Sequence, residues 1–146
     1  MISNMIKDVK EINNFNTYKM KKIFNTSKAP EPLGPYNQAV MANNMFFTSG
    51  QIAINPQNGE LVLDNIKDET HQVMINLKAV LNSANIDFKN VVKSSIFITS
   101  MDDFNDINDV YGSYFNASNA PARETVQVAK LPKGVNVEIS MIAIIY

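Results

Sequence analysis

The amino-acid sequence predicts an α+β fold in which two helices pack on one face of a mixed six-stranded β-sheet. One observation is the order of the segments: three β-type segments, a helical one, a β-type one, a helical one and two final β-type segments. The other is size and composition. A chain of 146 residues with 45% hydrophobic content fits one domain with a substantial core.

Three strands are predicted before the first helix, because β-branched and aromatic residues are separated there by turn signals. Pro30 and Pro32 keep the first loop out of regular structure, and Gly34-Pro35 interrupts the chain again. Asn43-Asn44 provides a tight turn into the third strand. The predicted strands are residues 21–25, 36–42 and 45–50.

Two amphipathic helices are predicted at residues 66–84 and 104–115, where apolar residues recur at helical spacing. Ser100 is the predicted N-cap of the second helix. Such stripes are more typical of a core-facing helix than of a cofactor site. His71, the one histidine, lies early in the first helix and is expected to be exposed or half-buried. The second stripe consists of Phe104, Ile107, Tyr111, Tyr114 and Phe115.

The remaining strands are predicted at residues 91–99, 125–129 and 135–146. The last strand is apolar on both faces near its end, because Ile142 and Ile144 join the face that also carries Glu138. A strand that is apolar on both faces needs cover on both sides. Since both helices are expected on one face, the other face is predicted to contact a second subunit. In the strand after the first helix, one face is predicted to carry Val92, Ser94, Ile96 and Ile98.

Composition excludes several classes of function. The net charge of −1 offers no electrostatic case for binding nucleic acid or an anionic membrane. Without Cys, the chain has no disulfides, thiolate zinc sites or cysteine nucleophile, and its one His excludes a multi-histidine metal site. No apolar run approaches the roughly 20 residues that span a bilayer. The sequence therefore predicts a soluble, cytoplasmic protein.

Residues 1–19 are predicted to be a flexible extension, and residues 20–146 a single domain. The extension mixes polar, charged and isolated apolar residues, without the apolar core of a signal peptide. An organelle address in this extension stays open as an alternative.

Two charged residues stand out from the strand pattern. Arg123 is the only arginine among the 13 Lys and Arg residues, and its planar fork suits a carboxylate or phosphate. Glu138 lies in an otherwise apolar strand, where a carboxylate needs a partner or partial neutralisation. The alternatives are a surface arginine and an edge-strand glutamate facing water. A short turn joins the two predicted strands, so we expect Arg123 and Glu138 to lie close together.

The motifs around these two residues resemble the Rid/YjgF family of reactive intermediate deaminases, also called the endoribonuclease L-PSP family. Pro121-Ala122-Arg123, Val126–Pro132 and Val137-Glu138-Ile139 carry the resemblance. Further stretches agree, and the likeness covers residues 21–146. These are Gly34–Gln38, Thr48–Ile52 and Phe104–Phe115.

The resemblance implies a chorismate-mutase-like α+β sandwich, assembled as a homotrimer with a site in each cleft between subunits. It also implies a hydrolase that converts enamine or imine intermediates, of the 2-aminoacrylate/2-iminopropanoate type, into a 2-keto acid and ammonia. Neither a cofactor nor a metal is implied.

The same resemblance assigns roles to individual residues. Arg123 would hold the substrate carboxylate, and Glu138 would position or activate the attacking water. Tyr36 would line the pocket, from the neighbouring subunit in one arrangement. The other residues implied for substrate binding are Ser49, Gly50, Asn108 and Thr125.

Two positions depart from the commonest family pattern. Thr125 stands where many members have Cys or Ser, and its hydroxyl or backbone amide would contact the substrate at this position. Glu124 is a more acidic residue than family members usually have at this position, and it is expected only to face solvent.

Two other functions remain open at this point. One is an endoribonuclease or translation inhibitor acting on RNA, which would need a basic surface with stacking aromatic residues. The other is a non-catalytic trimer that binds small carboxylates, which would need Arg123 but not Glu138. A local lysine patch for RNA would consist of Lys19, Lys21, Lys22 and Lys28.

Overall fold

The structure is a computed structural model that describes residues 21–146. The predicted α+β architecture is confirmed in this range. The predicted extension, residues 1–19, and the predicted domain boundary lie outside the described residues. The elements are β1 (Lys22–Phe24), β2 (Ala39–Ala42), β3 (Met45–Thr48), α1 (Ile66–Asn82), β4 (Val91–Ile98), α2 (Phe104–Gly112), β5 (Ala122–Gln127) and β6 (Val137–Ile144).

The six strands form one mixed sheet in the order β1-β2-β3-β6-β4-β5. All neighbours are antiparallel except β4 and β5, which run parallel. The last strand in sequence, β6, is therefore central, between β3 and β4. Its central position gives β6 a hydrogen-bonded neighbour on each edge, but the helices cover only one of its two apolar faces.

Both helices lie on one face of the sheet. The buried face of α1 packs on β3 and β6 and against α2. Side chains of α1 and β6 that point into this layer are almost completely buried, and each such aliphatic side chain contributes about 1.5–3 kcal/mol relative to exposure. They include Val73, Met74, Leu77, Leu81, Val137, Ile139 and Met141.

Several predicted boundaries were wrong by a few residues. The strand predicted from residue 36 begins at Ala39, because the buried Gln38 side chain ties the preceding segment to the carbonyls of Thr26, Ala29 and Pro30. The strand predicted at 125–129 begins at Ala122, because its parallel pairing with β4 starts there. Tertiary pairing, which local composition does not report, sets both boundaries.

A register shift in β4 overturns one predicted face. Val91 pairs with Ala143 and Lys93 with Ile142, so the chain bulges between them. Val92 is consequently 37% exposed, and Val91 is buried in its place. The prediction that Val92 shares a face with Ser94 and the following apolar residues was wrong for Val92.

The predicted N-cap of the second helix was wrong, whereas the first helix has a side-chain N-cap that was not predicted. Asn65 caps α1, its side chain accepting a hydrogen bond from the backbone N–H of Asp68 at 2.9 Å. Ser100, the predicted cap of the second helix, instead caps a short 3₁₀ turn at Met101–Asp103. The α-helical part starts only at Phe104.

The sheet face opposite the helices is uncovered in the single chain. Its side chains are mixed, with a broad apolar area and the polar residues near β4 and β5. None of the apolar ones is fully buried, and Val126 is 43% exposed. They include Val40, Phe47, Phe97, Val126 and Ile142. We call these five the open face.

No helix within residues 21–146 combines the length and apolarity that a bilayer crossing requires.

Candidate active site

The guanidinium of Arg123 is held on the helix-covered side of β5. Arg123 is in register with Ser94, whose hydroxyl points to α2. Nη1 of Arg123 donates a hydrogen bond to Oδ1 of Asn108 at 2.7 Å. Its Cζ lies 5.8 Å from the ring centroid of Phe104 and 5.2 Å from that of Tyr111. These contacts orient the guanidinium while leaving donors free on an exposed side chain.

Helical periodicity explains how three residues of α2 come to contact the guanidinium. Phe104, Asn108 and Tyr111 are spaced i, i+4 and i+7, so they form one stripe along the helix. The Tyr111 hydroxyl donates to Oγ of Ser94 at 2.9 Å. Burial raises the pKa of Tyr111, against the opposing effects of the Ser94 hydrogen bond and the Arg123 charge. Tyr111 is therefore a neutral, fixed ring under the guanidinium.

A cleft of ≈ 400 Å³ opens beside Arg123. Asn108, Tyr111 and Phe115 line it, together with Pro121. Thr125 lies two residues after Arg123 on the same face of β5 and is half-buried. We call Phe104, Asn108, Tyr111, Arg123 and Thr125 the anchor cluster.

Glu138 lies on the opposite face of the sheet. Its strand neighbours Val137 and Ile139 are completely buried under the helices, so Glu138 points away from them. The carboxyl group rests against the Gly50 backbone. A Cβ at Gly50 would lie 2.7 Å from Cδ and 2.9 Å from Cγ of Glu138, closer than real contacts allow. Position 50 must therefore be glycine for Glu138 to keep this conformation.

Burial raises the pKa of Glu138 above that of an ordinary glutamate. The carboxyl group lines a cavity of ≈ 60 Å³ together with Glu31, Tyr36, Gly50 and Pro132. A cavity of this size admits water beside a carboxylate. The arrangement can hold a water molecule at a group that is able to take a proton.

Two further predicted site residues lie near Glu138. Tyr36 is 46% exposed, and its hydroxyl accepts a hydrogen bond from the backbone N–H of Leu33 at 3.1 Å. The Ser49 hydroxyl donates to the carbonyl of Asn37 at 2.6 Å, which fixes the segment between them. Tyr36 and Ser49 also line a shared cleft. We call Tyr36, Ser49, Gly50 and Glu138 the water cluster.

The predicted proximity of Arg123 and Glu138 was wrong within one chain. The two strands are consecutive in sequence, but β4 lies between them. Arg123 shares a row with Ser94 and faces the helices, whereas Glu138 shares a row with Phe97 and faces the open side. The chain thus builds two separate half-sites on opposite faces of one sheet.

Some contacts at these half-sites were not predicted. Phe104 and Tyr111 were assigned to the core stripe alone, although the i, i+4, i+7 spacing with Asn108 could have placed them beside Arg123. The sequence gives no signal that Glu31 lines the Glu138 cavity, because its position there depends on the conformation of the loop that contains Pro30 and Pro32. His71 lies 2.9 Å (Nδ1) from the Tyr114 hydroxyl and lines neither cavity.

Glu124 differs from the expectation that it only faces solvent. On the open side of the sheet it accepts a hydrogen bond from Ser95 and forms an ion pair with Lys93. The hydrogen bond from Lys93 and that from Ser95 lower the pKa of Glu124. This polar group interrupts the apolar part of that side.

Within residues 21–146, no group of three or more His, Asp and Glu side chains is arranged to hold a metal ion.

Comparison with known proteins places this arrangement among relatives. The model of the Endoribonuclease L-PSP family matches residues 26–145. A RutC family protein of Synechocystis is 47% identical over 125 residues, 85% of this chain and 96% of that protein. The human 2-iminobutanoate/2-iminopropanoate deaminase is 42% identical over 125 residues, 86% of this chain and 90% of that protein.

A solved structure is equally similar. The crystal structure of Escherichia coli TdcF with bound serine superposes with a TM-score of 0.80 at 41% identity. The match covers 86% of this chain and 99% of that chain. The similarity to these proteins, in sequence and in structure, therefore extends over nearly all of residues 21–146.

Proposed function

Because this chain belongs to the Endoribonuclease L-PSP family, also called Rid/YjgF, we propose that it is a hydrolytic deaminase of small 2-imino acids. The reaction adds water across the C=N bond of R–C(=NH)–COO⁻ and releases R–C(=O)–COO⁻ and ammonia. The human relative named a 2-iminobutanoate/2-iminopropanoate deaminase supports this assignment. The observation that carries it is the pair of half-sites: an oriented guanidinium and a half-buried carboxyl group beside a water-sized cavity.

Arg123 would bind the substrate carboxylate. One guanidinium nitrogen is held by Asn108, and the rings of Phe104 and Tyr111 fix the plane. A carboxylate can then accept two parallel N–H bonds from the free donors. This anchor orients the imine carbon, and TdcF with bound serine shows that a relative accommodates a small amino acid carrying a carboxylate.

Glu138 would position the water and accept its proton. Burial raises the pKa of this carboxyl group, which makes the carboxylate a stronger base than an exposed glutamate. This proton can pass to the imine nitrogen, which gives a carbinolamine. The hydroxyl proton of the carbinolamine then passes to its amine, and ammonia leaves as the C–N bond breaks and the C=O bond forms. General acid–base help of this kind contributes about 10²–10⁴-fold. The electrophilic imine needs no metal activation in this scheme.

A complete site would need two copies of the chain. The anchor cluster and the water cluster face opposite sides of one sheet and cannot both contact a small substrate. The open face is apolar and uncovered, as a subunit contact requires. We infer a homotrimer in which the anchor cluster of each subunit meets the water cluster of the next. A cytoplasmic location stays a prediction.

The test is release of keto acid from a serine or threonine dehydratase reaction, with semicarbazide competing for the free imine. The wild-type protein should accelerate release, and Arg123→Ala and Glu138→Gln should not. Absence of acceleration by the wild type with several amino acids would contradict the proposal.

A non-catalytic carboxylate-binding protein is the second candidate, favoured by the serine bound to TdcF. It predicts that the wild type binds small carboxylates without turnover and that Glu138→Gln leaves binding intact. The family description also names RNA cleavage. That activity would appear as fragmentation of added RNA, and the net charge of −1 argues against it.

A further inference from the structure

Glu69 is a buried carboxylate that belongs to neither half-site. It lies in the first turn of α1 and is 1% exposed. Its Oε1 accepts hydrogen bonds from the backbone N–H groups of Asn136 at 2.6 Å and Val137 at 3.1 Å. Its Oε2 accepts one from Nδ2 of Asn136 at 2.9 Å. Three donors satisfy a group whose burial would otherwise be strongly unfavourable.

The backbone groups that donate to Glu69 lie next to Glu138 in the chain. Asn136 and Val137 directly precede Glu138, at the start of β6. On the other side, Ile139 exchanges two backbone hydrogen bonds with Gln51, at 2.8 and 3.1 Å. Glu138 therefore lies between two fixed points, and Glu69 supplies the one before it.

We propose that Glu69 is a positioning residue that fixes the start of β6 and so holds the Glu138 carboxylate against Gly50. The proposal rests on the function proposed above, because it assigns Glu69 a role in the reaction of Glu138. Glu69 itself lines neither the cleft beside Arg123 nor the cavity beside Glu138. It acts through the backbone of Asn136 and Val137.

The packing at Gly50 explains why this position matters. The Glu138 side chain has no room to spare there, since even a Cβ at residue 50 would collide with it. A shift of the strand start would move the carboxylate out of line with the bound imine. Misplacement of a catalytic group by about 1 Å can lower the rate 10²-fold.

Thr99 provides a second, weaker tie to the same segment. Its N–H donates to the carbonyl of Asn136 at 3.1 Å, and its hydroxyl donates to Oδ1 of Asn136 at 3.3 Å. These bonds do not use the N–H groups that Glu69 accepts. Removal of the Glu69 oxygens leaves both backbone N–H groups buried without an acceptor. Because this is unfavourable, we expect the start of β6 to shift.

Two substitutions separate positioning from general stability. Glu69→Gln keeps an oxygen for the two backbone N–H groups, whereas Glu69→Ala removes it. Val73→Ala is the matched control, because Val73 lies one turn later in α1, is completely buried and has no polar contact with β6. All variants are compared at a temperature where circular dichroism shows them folded.

The measurement is kcat and KM for a small imine in the wild type and the three variants. Glu69→Ala should lower kcat at least about 10-fold and leave KM within about 2-fold, because the anchor cluster is untouched. Glu69→Gln should restore most of kcat, and Val73→Ala should keep both constants despite its lower melting temperature.

Two results would overturn the inference while leaving the proposed function intact: a wild-type-like kcat in Glu69→Ala, or a kcat in Glu69→Gln as low as in Glu69→Ala. A wild type without turnover would overturn both, and the wild-type measurement alone identifies that case.

Discussion

The anchor cluster and the water cluster are built in different ways. Three residues of the anchor cluster come from one stripe of α2, and Arg123 and Thr125 from the adjacent strand. The water cluster combines residues from positions 36, 49, 50 and 138, which are far apart in sequence. The geometry of the proposed carboxylate anchor follows from local helix periodicity, whereas the position of the proposed proton acceptor, Glu138, depends on tertiary packing.

This comparison predicts that damage to the two clusters appears in different kinetic constants. Loss of anchor contacts weakens binding of the carboxylate and raises KM. Loss of water-cluster geometry slows the chemical step and lowers kcat.

The largest effect is expected for the anchor. Arg123→Lys keeps the positive charge but loses the planar fork and its stacking on Tyr111 and Phe104. KM for a small imine should rise about 10–100-fold, which is the factor that corresponds to the free energy of one charge-assisted hydrogen bond. Steady-state kinetics would measure it, and an unchanged KM would place carboxylate binding elsewhere.

The water cluster should respond to Gly50→Ala with a change in kcat. The added Cβ collides with the flexible side chain of Glu138, so the carboxylate moves while the fold remains. We expect kcat to fall about 10-fold or more with KM little changed. Gly112→Ala is the control for kcat, because a Cβ there meets nothing within 4 Å and position 112 borders the cleft beside Arg123 instead of the cavity beside Glu138. Equal kinetics in the two variants would contradict the assigned role of Gly50.

A smaller effect should separate the ring of Tyr111 from its hydroxyl. Tyr111→Leu removes the ring face under Arg123, and KM should rise about 2–5-fold, the range of an exposed cation–π contact. Tyr111→Phe keeps the ring, so KM should stay near the wild-type value while the lost bond to Ser94 lowers stability by about 1 kcal/mol. A similar KM in both variants would show that the ring does not orient Arg123.

The smallest expected change concerns pH. Glu138 must be ionised to accept a proton, and burial raises its pKa. Activity should therefore fall on the acidic side at a higher pH than the titration of an ordinary glutamate, and remain at neutral pH where the carboxylate is ionised. A pH profile of kcat measures this limb. An acidic limb at or below the ordinary glutamate range would contradict the role of burial.

Much of this molecule could be predicted from the sequence because its signals are local. The two helices and six strands follow from apolar spacing and turn residues, and the motif residues identify the family. The placement of Arg123 and Glu138 on opposite faces could not be predicted. Their separation depends on β4 lying between β5 and β6, a pairing between segments distant in sequence.

The same reason explains the other differences. The bulge at Val91–Lys93 and the early start of β5 arise from strand pairing. The acceptor role of Glu69 depends on contact with a segment 67 residues later. In each case a long-range contact overrides the local pattern.

The central claim, that a complete site needs two copies of the chain, is tested most directly by complementation. Arg123→Ala and Glu138→Gln should each be inactive alone, and co-expression of both chains should restore activity. Random mixing in a cyclic oligomer would pair an intact anchor cluster with an intact water cluster in roughly a quarter of the sites. Recovery near that fraction of wild-type activity is the predicted result. Mixed oligomers as inactive as the separate variants would show that each site belongs to a single chain.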